Sequence, residues 1–172
     1  GIDSMDFEGR NIRVDFNNVS IMSMYLPSGT NIERLEYKFE YMDMIKTFLN
    51  DLRVTIPNLV GCGDYNICPN AIDIHNPTMK GVSGFLPEER EWLGSFIDSG
   101  FIDTFRFLHP EKQLYSWWSY RANARANNKG WRLDYAMVSE PLKPKISRAL
   151  ILNDAIHSDH CPIVLELDVN KK

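Results

Sequence analysis

Two hydrophobic periods alternate along residues 11–63, and this alternation constrains the fold more than any other feature of the chain. Ile12, Val14 and Phe16 recur at every second position, which is typical of a strand with one buried face. A turn at residues 17–18 and a second strand over residues 19–25 would complete a hairpin. The chain therefore starts on a sheet and not on a helical bundle.

A helical period follows directly. Asn31 is a candidate N-cap, and the helix is predicted to run to about Asn50 with its charged side chains in water. Its apolar positions recur every three or four residues, at Leu35, Phe39, Met42, Ile45, Phe48 and Leu49. A short, wholly apolar strand over residues 57–63 comes next, which indicates a strand buried on both faces.

Strand and helix signals continue to interleave through the rest of the chain. Residues 62–84 are predicted to form a long loop, and a helix starts at Pro87 and ends at Gly100. Further strands are predicted over residues 133–138 and 163–169, with a weaker one over 146–152. Hairpins mixed with crossovers favour one α/β (α+β) domain over residues 1–172, built on mixed sheets.

Composition excludes several classes of protein. The chain has 172 residues with 44% hydrophobic and 24% charged residues, which is ordinary for a globular domain. No apolar run approaches the ~20 residues that span a bilayer, so no membrane partner is expected. Three cysteines without zinc-ribbon spacing favour reduced thiols and a cytoplasmic location.

One basic and aromatic window stands out, although the formal net charge is −4. Residues 113–133 contain no Asp or Glu. They contain four cations and five large aromatic side chains: Arg121, Arg125, Lys129, Arg132, Tyr115, Trp117, Trp118, Tyr120 and Trp131. Any surface that binds a polyanion is expected there, and the alternative is that the tryptophans are core residues and the cations are solvated.

Three acidic positions are candidates for chemistry. Asp64 and Asn66 follow the end of the buried strand and can point into a cleft, although an Asx-turn explains the same pattern. Asp159 precedes His160 in a loop before the last strand. Asp134 lies in an apolar strand and needs a partner, which is either a histidine or a nearby cation such as Arg132.

A set of short blocks occurs in a fixed order along nearly the whole chain. They are Tyr25-Leu26-Pro27-Ser28-Gly29, Arg34-Leu35-Glu36-Tyr37, Gly63-Asp64-Tyr65-Asn66, Ile72-Asp73-Ile74-His75-Asn76-Pro77, Gly84-Phe85-Leu86-Pro87-Glu88-Glu89-Arg90, Asn123-Ala124-Arg125, Gly130-Trp131-Arg132-Leu133-Asp134-Tyr135 and Ser158-Asp159-His160-Cys161-Pro162. Together they resemble abasic-site endonucleases of the exonuclease III type, in the endonuclease/exonuclease/phosphatase superfamily. The resemblance implies a four-layer α/β sandwich of mixed β-sheets flanked by helices.

The resemblance also implies metal-assisted hydrolysis of a DNA phosphodiester 5′ to an abasic site, with 3′–5′ exonuclease activity as a second reaction. The implied metal is Mg²⁺, with Mn²⁺ as an alternative, held by Asp159, Asp64 and Asn66. Asp64 would also orient or deprotonate the attacking water, and Asn66 would bind the scissile phosphate. The full implied catalytic set is Tyr25, Asp64, Asn66, Asp134, Asp159 and His160.

Further implied roles concern the DNA. His160, held by Asp134, would stabilise charge on a phosphoryl oxygen, and Tyr25 would contact the phosphate or the leaving oxygen. Trp117, Trp131 and Leu133 would line a slot for the abasic sugar that admits no intact base. The implied DNA-binding residues are Trp117, Arg121, Asn123, Arg125, Lys129, Trp131 and Leu133. The implied partner is duplex DNA with abasic sites or 3′ ends, bound by a monomer in the cytoplasm, or at the nucleoid in a bacterium.

The sequence departs from the resembled family in two respects. Ser28 stands where relatives often have Asn, so one phosphate contact of the family is not carried over. The family's Asn-containing first strand and the strand with its main metal-binding glutamate have no counterpart, so the chain is expected to lack the N-terminal third. We then expect unpaired sheet edges, exposed apolar surface and little activity from these 172 residues alone. Two other readings remain: a superfamily phosphatase on lipid or small-molecule phosphates, and a catalytically inactive DNA-binding fragment.

Overall fold

The computed structural model describes residues 3–29 and 31–169. The helices are α1 (Asp3–Phe7), α2 (Ile32–Thr55), α3 (Pro87–Asp98) and α4 (Thr104–Leu108). The strands are β1 (Asn11–Asp15), β2 (Ser20–Tyr25), β3 (Leu59–Asp64), β4 (Phe101–Asp103), β5 (Trp117–Trp118), β6 (Gly130–Trp131), β7 (Asp134–Ser139), β8 (Ile146–Ile151) and β9 (Ile163–Leu167). Short 3₁₀ turns cover Ala71–Asp73, Arg121–Asn123 and Glu140–Lys145.

A five-stranded sheet in the order β1-β2-β3-β7-β4 forms the centre of the fold. The pair β2 and β3 is parallel, because α2 carries the chain back across the sheet, and the other pairs are antiparallel. The apolar strand β3 is in the middle of the sheet, as its composition predicts. The mixed α/β sheet expected from the sequence is therefore confirmed.

Helices α2 and α3 cover one face of this sheet. Asn31 caps α2, accepting a hydrogen bond from the backbone N–H of Arg34 at 2.9 Å. The apolar sides of both helices pack on the alternate buried residues of the strands, at Met22, Met24, Tyr41, Met42, Ile45, Leu49, Leu59, Tyr65, Leu93, Phe96 and Met137. This layer contains the largest core of the molecule and fixes one side of the sheet rigidly.

The opposite face is covered only in part. The antiparallel pair β8 and β9 packs through Ile146, Leu165 and Leu167 on a small cluster around Val60 and Val138. Four large apolar side chains on β1, β2 and the turn between them stay exposed: Ile12, Val14, Phe16 and Ile21. The expectation of exposed apolar surface is therefore confirmed for the described residues.

The structure corrects several local predictions. Helix α2 continues to Thr55, beyond the predicted end near Asn50, because Arg53 bonds to the backbone at the end of α3. The elements α1, β4, α4, β5 and β6 have two to five residues each, too few to show a period. The expectation that all charges of α2 lie in water is wrong for Lys38, which is fully buried.

Two further expectations concern the whole chain. Cys62, Cys68 and Cys161 are free thiols, in line with the prediction from the sequence. Within residues 3–29 and 31–169, no helix combines the length and the apolar character needed to cross a membrane.

Candidate active site

Three strands bring their polar residues to one edge of the central sheet. In the register of the sheet, Tyr25 at the end of β2 is opposite Asp64 at the end of β3, and Asp64 is opposite Asp134 at the start of β7. The parallel pair ends at this edge and the antiparallel strand begins there, so all three side chains leave the sheet together. Residues far apart in sequence thus meet because of strand pairing.

Two hydrogen bonds join Asn66 to the carboxylate of Asp64. The backbone N–H of Asn66 donates to Asp64 Oδ1 at 2.8 Å, and its side-chain amide donates to Asp64 Oδ2 at 2.9 Å and to the carbonyl of Leu26 at 3.0 Å. Asn66 has a φ of +52°, a left-handed conformation that asparagine tolerates better than most residues. The Asx-turn is therefore present, and it aims both side chains into the same cleft.

Asp134 pairs with His160 and not with Arg132. His160 Nδ1 and Asp134 Oδ2 are 2.9 Å apart. Arg132, one of the two partners that the sequence left open, bonds instead to Asp73 at 2.6 Å and to Asp103 at 2.7 Å. A carboxylate on Nδ1 fixes the ring and leaves Nε2 for another partner.

Asp159 is held by the aromatic window. Its Oδ2 accepts a hydrogen bond from Trp117 Nε1 at 3.0 Å, and its Oδ1 accepts one from Ser158 Oγ at 3.0 Å. Two backbone bonds add to this: Trp118 N–H to the Asp159 carbonyl and Cys161 N–H to the carbonyl of Ser116. The loop with Asp159 and His160 therefore lies along β5.

A cleft of about 380 Å³ is lined by Asp64, Asn66 and His160, whereas Asp134 and Asp159 lie behind its walls, bonded to His160 and to Trp117. Its lining combines the polar edge of the sheet with apolar walls: Tyr25, Ser28, Asp64, Asn66, Val82, Ser83, Gly84, Trp117, Trp131, Leu133 and His160. The rings of Trp117 and Trp131 meet nearly at right angles, at 82° and 6.3 Å between centroids. Trp117, Trp131 and Leu133, the three residues expected to form a slot for a sugar, therefore line the same cleft as Asp64 and His160.

The remaining residues of the basic window divide into two kinds. Arg121, Asn123 and Lys129 are exposed. Arg125 is half-buried, and its guanidinium donates to the carbonyls of Ser158, Asn153 and Ala155 at 2.8, 3.0 and 2.7 Å. Arg125 therefore holds the loop before His160, whereas the three exposed residues present their side chains to solvent.

Burial shifts the acid–base properties of the cleft. Burial, followed by the nearby charge of Asp134, raises the pKa of Asp64 to about 7. For His160, burial alone would lower the pKa, but the hydrogen bond and charge of Asp134 outweigh it and raise the pKa. For Asp159, burial is likewise outweighed, and hydrogen bonds from Trp117 and Ser158 lower the pKa. A carboxyl group that titrates near neutrality beside an imidazole with a raised pKa is suited to general acid–base catalysis.

The described residues do not make a complete divalent-cation site. Asp64, Asn66 and Asp159 offer the oxygen ligands that hard cations prefer. Within the described ranges, however, no three His, Cys, Asp or Glu side chains are grouped so as to hold a metal ion. The assignment of these residues as ligands stays a prediction.

Sequence reasoning missed part of the site. Ser83 and Gly84 line the cleft, and Lys38 and Glu89 form a buried ion pair behind it. A lysine on a predicted amphipathic helix looks like a solvated charge, so only the fold reveals its burial. Gly84 in a long loop was the one available signal, because loops that end in glycine often lie close to a ligand.

One family profile and two known proteins match most of this chain. A profile described as the Endonuclease/Exonuclease/phosphatase family matches residues 12–160. The chain is 40% identical to an exodeoxyribonuclease of Bacillus subtilis over 98% of its own length and 68% of that protein. It is 39% identical to the DNA repair nuclease APEX1 of Danio rerio, of which it spans 55%.

A solved structure extends the comparison to three dimensions. An AP endonuclease from Archaeoglobus fulgidus superposes with a TM-score of 0.82 at 26% identity, covering 92% of this chain and 65% of that one. The likeness in three dimensions therefore extends over most of this chain.

Proposed function

Because the chain belongs to the endonuclease/exonuclease/phosphatase family, we propose that the protein is a DNA repair nuclease that hydrolyses the phosphodiester 5′ to abasic sites. The observation that carries the proposal is the register that aligns Tyr25, Asp64 and Asp134 beside His160 at one end of an apolar slot. We also propose that it acts as an exonuclease on 3′ ends, since the relatives include a protein named exodeoxyribonuclease.

Asp64 is the group best suited to the attacking water. With a pKa raised to about 7 by burial, it is about half ionised at neutral pH, and its carboxylate form is basic enough to accept a proton. The side-chain amide of Asn66 donates to Asp64 at 2.9 Å and to the Leu26 carbonyl at 3.0 Å, so it would donate to a phosphate oxygen by exchanging one of these two bonds. General-base catalysis of this kind contributes ~10²–10⁴-fold to a rate.

His160 stabilises the charge that develops on the phosphoryl group. Asp134 holds the imidazole and favours its protonated form, so Nε2–H would donate to an equatorial oxygen. Tyr25 is half-exposed at the same edge and would donate its hydroxyl to the phosphate or the leaving oxygen.

The apolar slot accounts for the choice of substrate. Trp117, Trp131 and Leu133 present carbon surface beside the acidic edge, which suits a sugar without its base. An abasic nucleotide is cheap to turn out of the duplex because no base pair is lost. The exposed Arg121, Asn123 and Lys129 would contact the flanking phosphates.

Family membership implies a divalent metal, which when bound supplies electrophilic stabilisation of the phosphate. We propose that the metal is Mg²⁺, with Mn²⁺ as the alternative, and that Asp64, Asn66 and Asp159 contribute to its site. The monomeric state and the cytoplasmic location stay predictions from the sequence.

Substitution of Asp64 tests the proposal. In the full-length protein with Mg²⁺, Asp64→Asn is expected to lower incision of an abasic duplex by ~10²–10⁴-fold because the general base is lost. Binding of the same duplex, measured in EDTA by fluorescence anisotropy, should change only a few-fold.

Asp51→Asn is the matched control, since it makes the same substitution at an exposed position of α2. It should incise at the wild-type rate. Incision that survives in Asp64→Asn would contradict the role of Asp64. Wild-type protein that hydrolyses inositol phosphates and leaves abasic duplex intact would contradict the nuclease assignment itself.

A further inference from the structure

A fully buried ion pair joins α2 to α3 behind the cleft. Lys38 Nζ and Glu89 Oε1 are 2.6 Å apart, and both side chains have no exposed surface. Burying two charges costs several kcal/mol per ion, and an apolar pair of the same size often serves packing as well or better. Packing of the two helices therefore does not by itself explain these residues.

Each member of the pair also bonds to a loop that lines the cleft. Lys38 Nζ donates to the backbone carbonyl of Asn66 at 2.8 Å. Glu89 Oε2 accepts from the backbone N–H of Gly84 at 2.6 Å, and its Oε1 accepts from Ser83 Oγ at 2.9 Å. One buried pair thus holds two separate walls of the cleft.

Each of the two walls contains one residue with a positive φ. Asn66 has a φ of +52° and Gly84 a φ of +93°. A Cβ at Gly84 would lie 3.2 Å from the Asn66 carbonyl oxygen and 3.2 Å from Trp131 Cζ3. Gly84 therefore fits between Asn66 and Trp131 with almost no free space, and the width of the cleft depends on where these loops are held.

We propose that Lys38 and Glu89 are positioning residues: through Asn66 and Gly84 they set the distance between the reacting end of the cleft and its aromatic wall. This inference rests on the proposed function, because it assigns the pair to the same site. Neither side chain touches the substrate. The effect on rate arises because an error of ~1 Å in the position of a reacting group costs on the order of 10²-fold.

Glu89 has a second task that a test must separate from positioning. It accepts the backbone N–H of Leu86 at 3.0 Å and so caps the first turn of α3. Loss of that cap lowers stability without any effect on the cleft. Stability and turnover therefore have to be measured on the same variants.

The double variant Lys38→Met/Glu89→Gln separates the two roles. Removing one partner leaves a buried charge unpaired, whereas removing both leaves none, so the double variant should be more stable than Lys38→Met alone. The amide that replaces the Glu89 carboxylate can still accept from the backbone of the loop, but the thioether that replaces the Lys38 ammonium cannot donate to Asn66. We expect stability to recover in the double variant while kcat for abasic duplex stays about 10–100-fold below wild type, with KM changed only a few-fold.

Lys46→Met is the matched control. Lys46 also joins α2 to α3, through a hydrogen bond to Ser95 Oγ at 2.7 Å, but it does not line the cleft. It should lose a little stability and no turnover. A double variant whose kcat recovers together with its stability would overturn the proposal, as would an equal loss of kcat in Lys46→Met.

Gly84→Ala tests the same spacing in a protein that keeps both Lys38 and Glu89, although the Gly84 N–H that Glu89 binds shifts with the loop. The added methyl group has to displace Asn66 or Trp131, so kcat should fall as in the double variant. Wild-type turnover in Gly84→Ala would show that the spacing is unimportant and would overturn the proposal even if Lys38 variants fail to fold.

Amide exchange measured by NMR keeps this test distinct from that of the nuclease function. Hydrogen exchange of the Asn66 backbone N–H should accelerate by about tenfold or more in the double variant and stay unchanged in Lys46→Met. If the wild-type protein cuts no abasic DNA, the proposed function fails, and the exchange rates still decide whether Lys38 holds Asn66.

Discussion

Asp64 occupies an environment in which the neutral form of a carboxyl group is favoured. It ends the central strand β3, faces Asp134 across the sheet, and is mostly shielded from water. Its hydrogen bonds from Asn66 compensate only part of this cost. Burial therefore raises the free energy of the ionised carboxylate relative to the neutral acid, which makes Asp64 a stronger base than an exposed aspartate.

This environment predicts a pH-dependent stability. Because the pKa of Asp64 is about 7 in the folded state and 3.8 for an unperturbed aspartate, the folded state binds the proton more tightly, and its stability falls as the pH rises from about 4 to about 7. Asp64→Asn removes this loss. Relative to wild type, the variant should gain about 2–3 kcal/mol between pH 5 and pH 8.

Urea denaturation at the two pH values checks the sign. Asp51→Asn, an exposed position, should show no pH-dependent gain. An Asp64→Asn variant whose difference from wild type is equal at pH 5 and pH 8 would show that Asp64 is an ordinary, hydrated carboxylate.

At the scale of elements, the shortest strands position the chemistry. Strand β5 has two residues, yet it pairs with β6 and also lies along the loop with Asp159 and His160. Arg125 closes that loop from the other side by bonding three of its carbonyls and by stacking on Trp118, with Cζ 4.4 Å from the ring centroid. The segment serves as a scaffold as well as a candidate DNA surface.

Arg121 and Arg125 should therefore respond differently to truncation. Arg121→Ala removes an exposed cation, so we expect an unchanged melting temperature, weaker DNA binding and a salt slope reduced by about 1. Arg125→Ala removes charged hydrogen bonds to the loop, so we expect a loss of about 1–3 kcal/mol in stability together with slower incision.

Thermal melts combined with binding at several salt concentrations measure both effects. The test compares the change in melting temperature and the change in salt slope between Arg121→Ala and Arg125→Ala. If Arg121→Ala destabilises the protein and Arg125→Ala changes only the salt slope, the assignment of the two arginines is reversed.

For the whole molecule, the uneven covering of the central sheet is the main feature. Two helices bury most of one face, apart from the β1 side chains Arg13 and Asp15, while β8 and β9 bury only the part of the other face around Val60 and Val138. Between that hairpin and the sheet lies a cavity of about 490 Å³ with largely apolar walls. Next to it, Ile12 and Val14 extend the apolar face into solvent.

An exposed apolar face of this kind favours association between molecules of the 172-residue chain. Ile12→Thr/Val14→Thr keeps β-branched side chains on β1, so stability should change by about 0.5 kcal/mol or less. Light scattering at high concentration and binding of a hydrophobic dye should both decrease. Val54→Thr, at a still more exposed apolar position on α2, should change neither, and equal effects from both variants would mean that the β1 face does not drive association.

The sequence by itself determined the long elements and supplied the candidate site residues. Alternation over residues 11–25, the helical period after Asn31 and the apolar strand before Asp64 follow from local hydrophobic pattern, and the structure has all of them. The candidate residues followed from side-chain chemistry and from a resemblance carried by short blocks. These are properties that a chain expresses locally, so they can be read without coordinates.

Only the tertiary structure decided how those residues meet. Pairing of β3 with β7 puts Asp64 opposite Asp134. In the folded chain, Asp134 is hydrogen-bonded to His160, and Arg132 forms an ion pair with Asp73. The burial of Lys38 against Glu89, 51 positions away, is likewise invisible in the local pattern. Partner choice depends on distances between segments remote in sequence, and burial then sets the pKa of each group, so neither quantity is encoded in any single stretch of the chain.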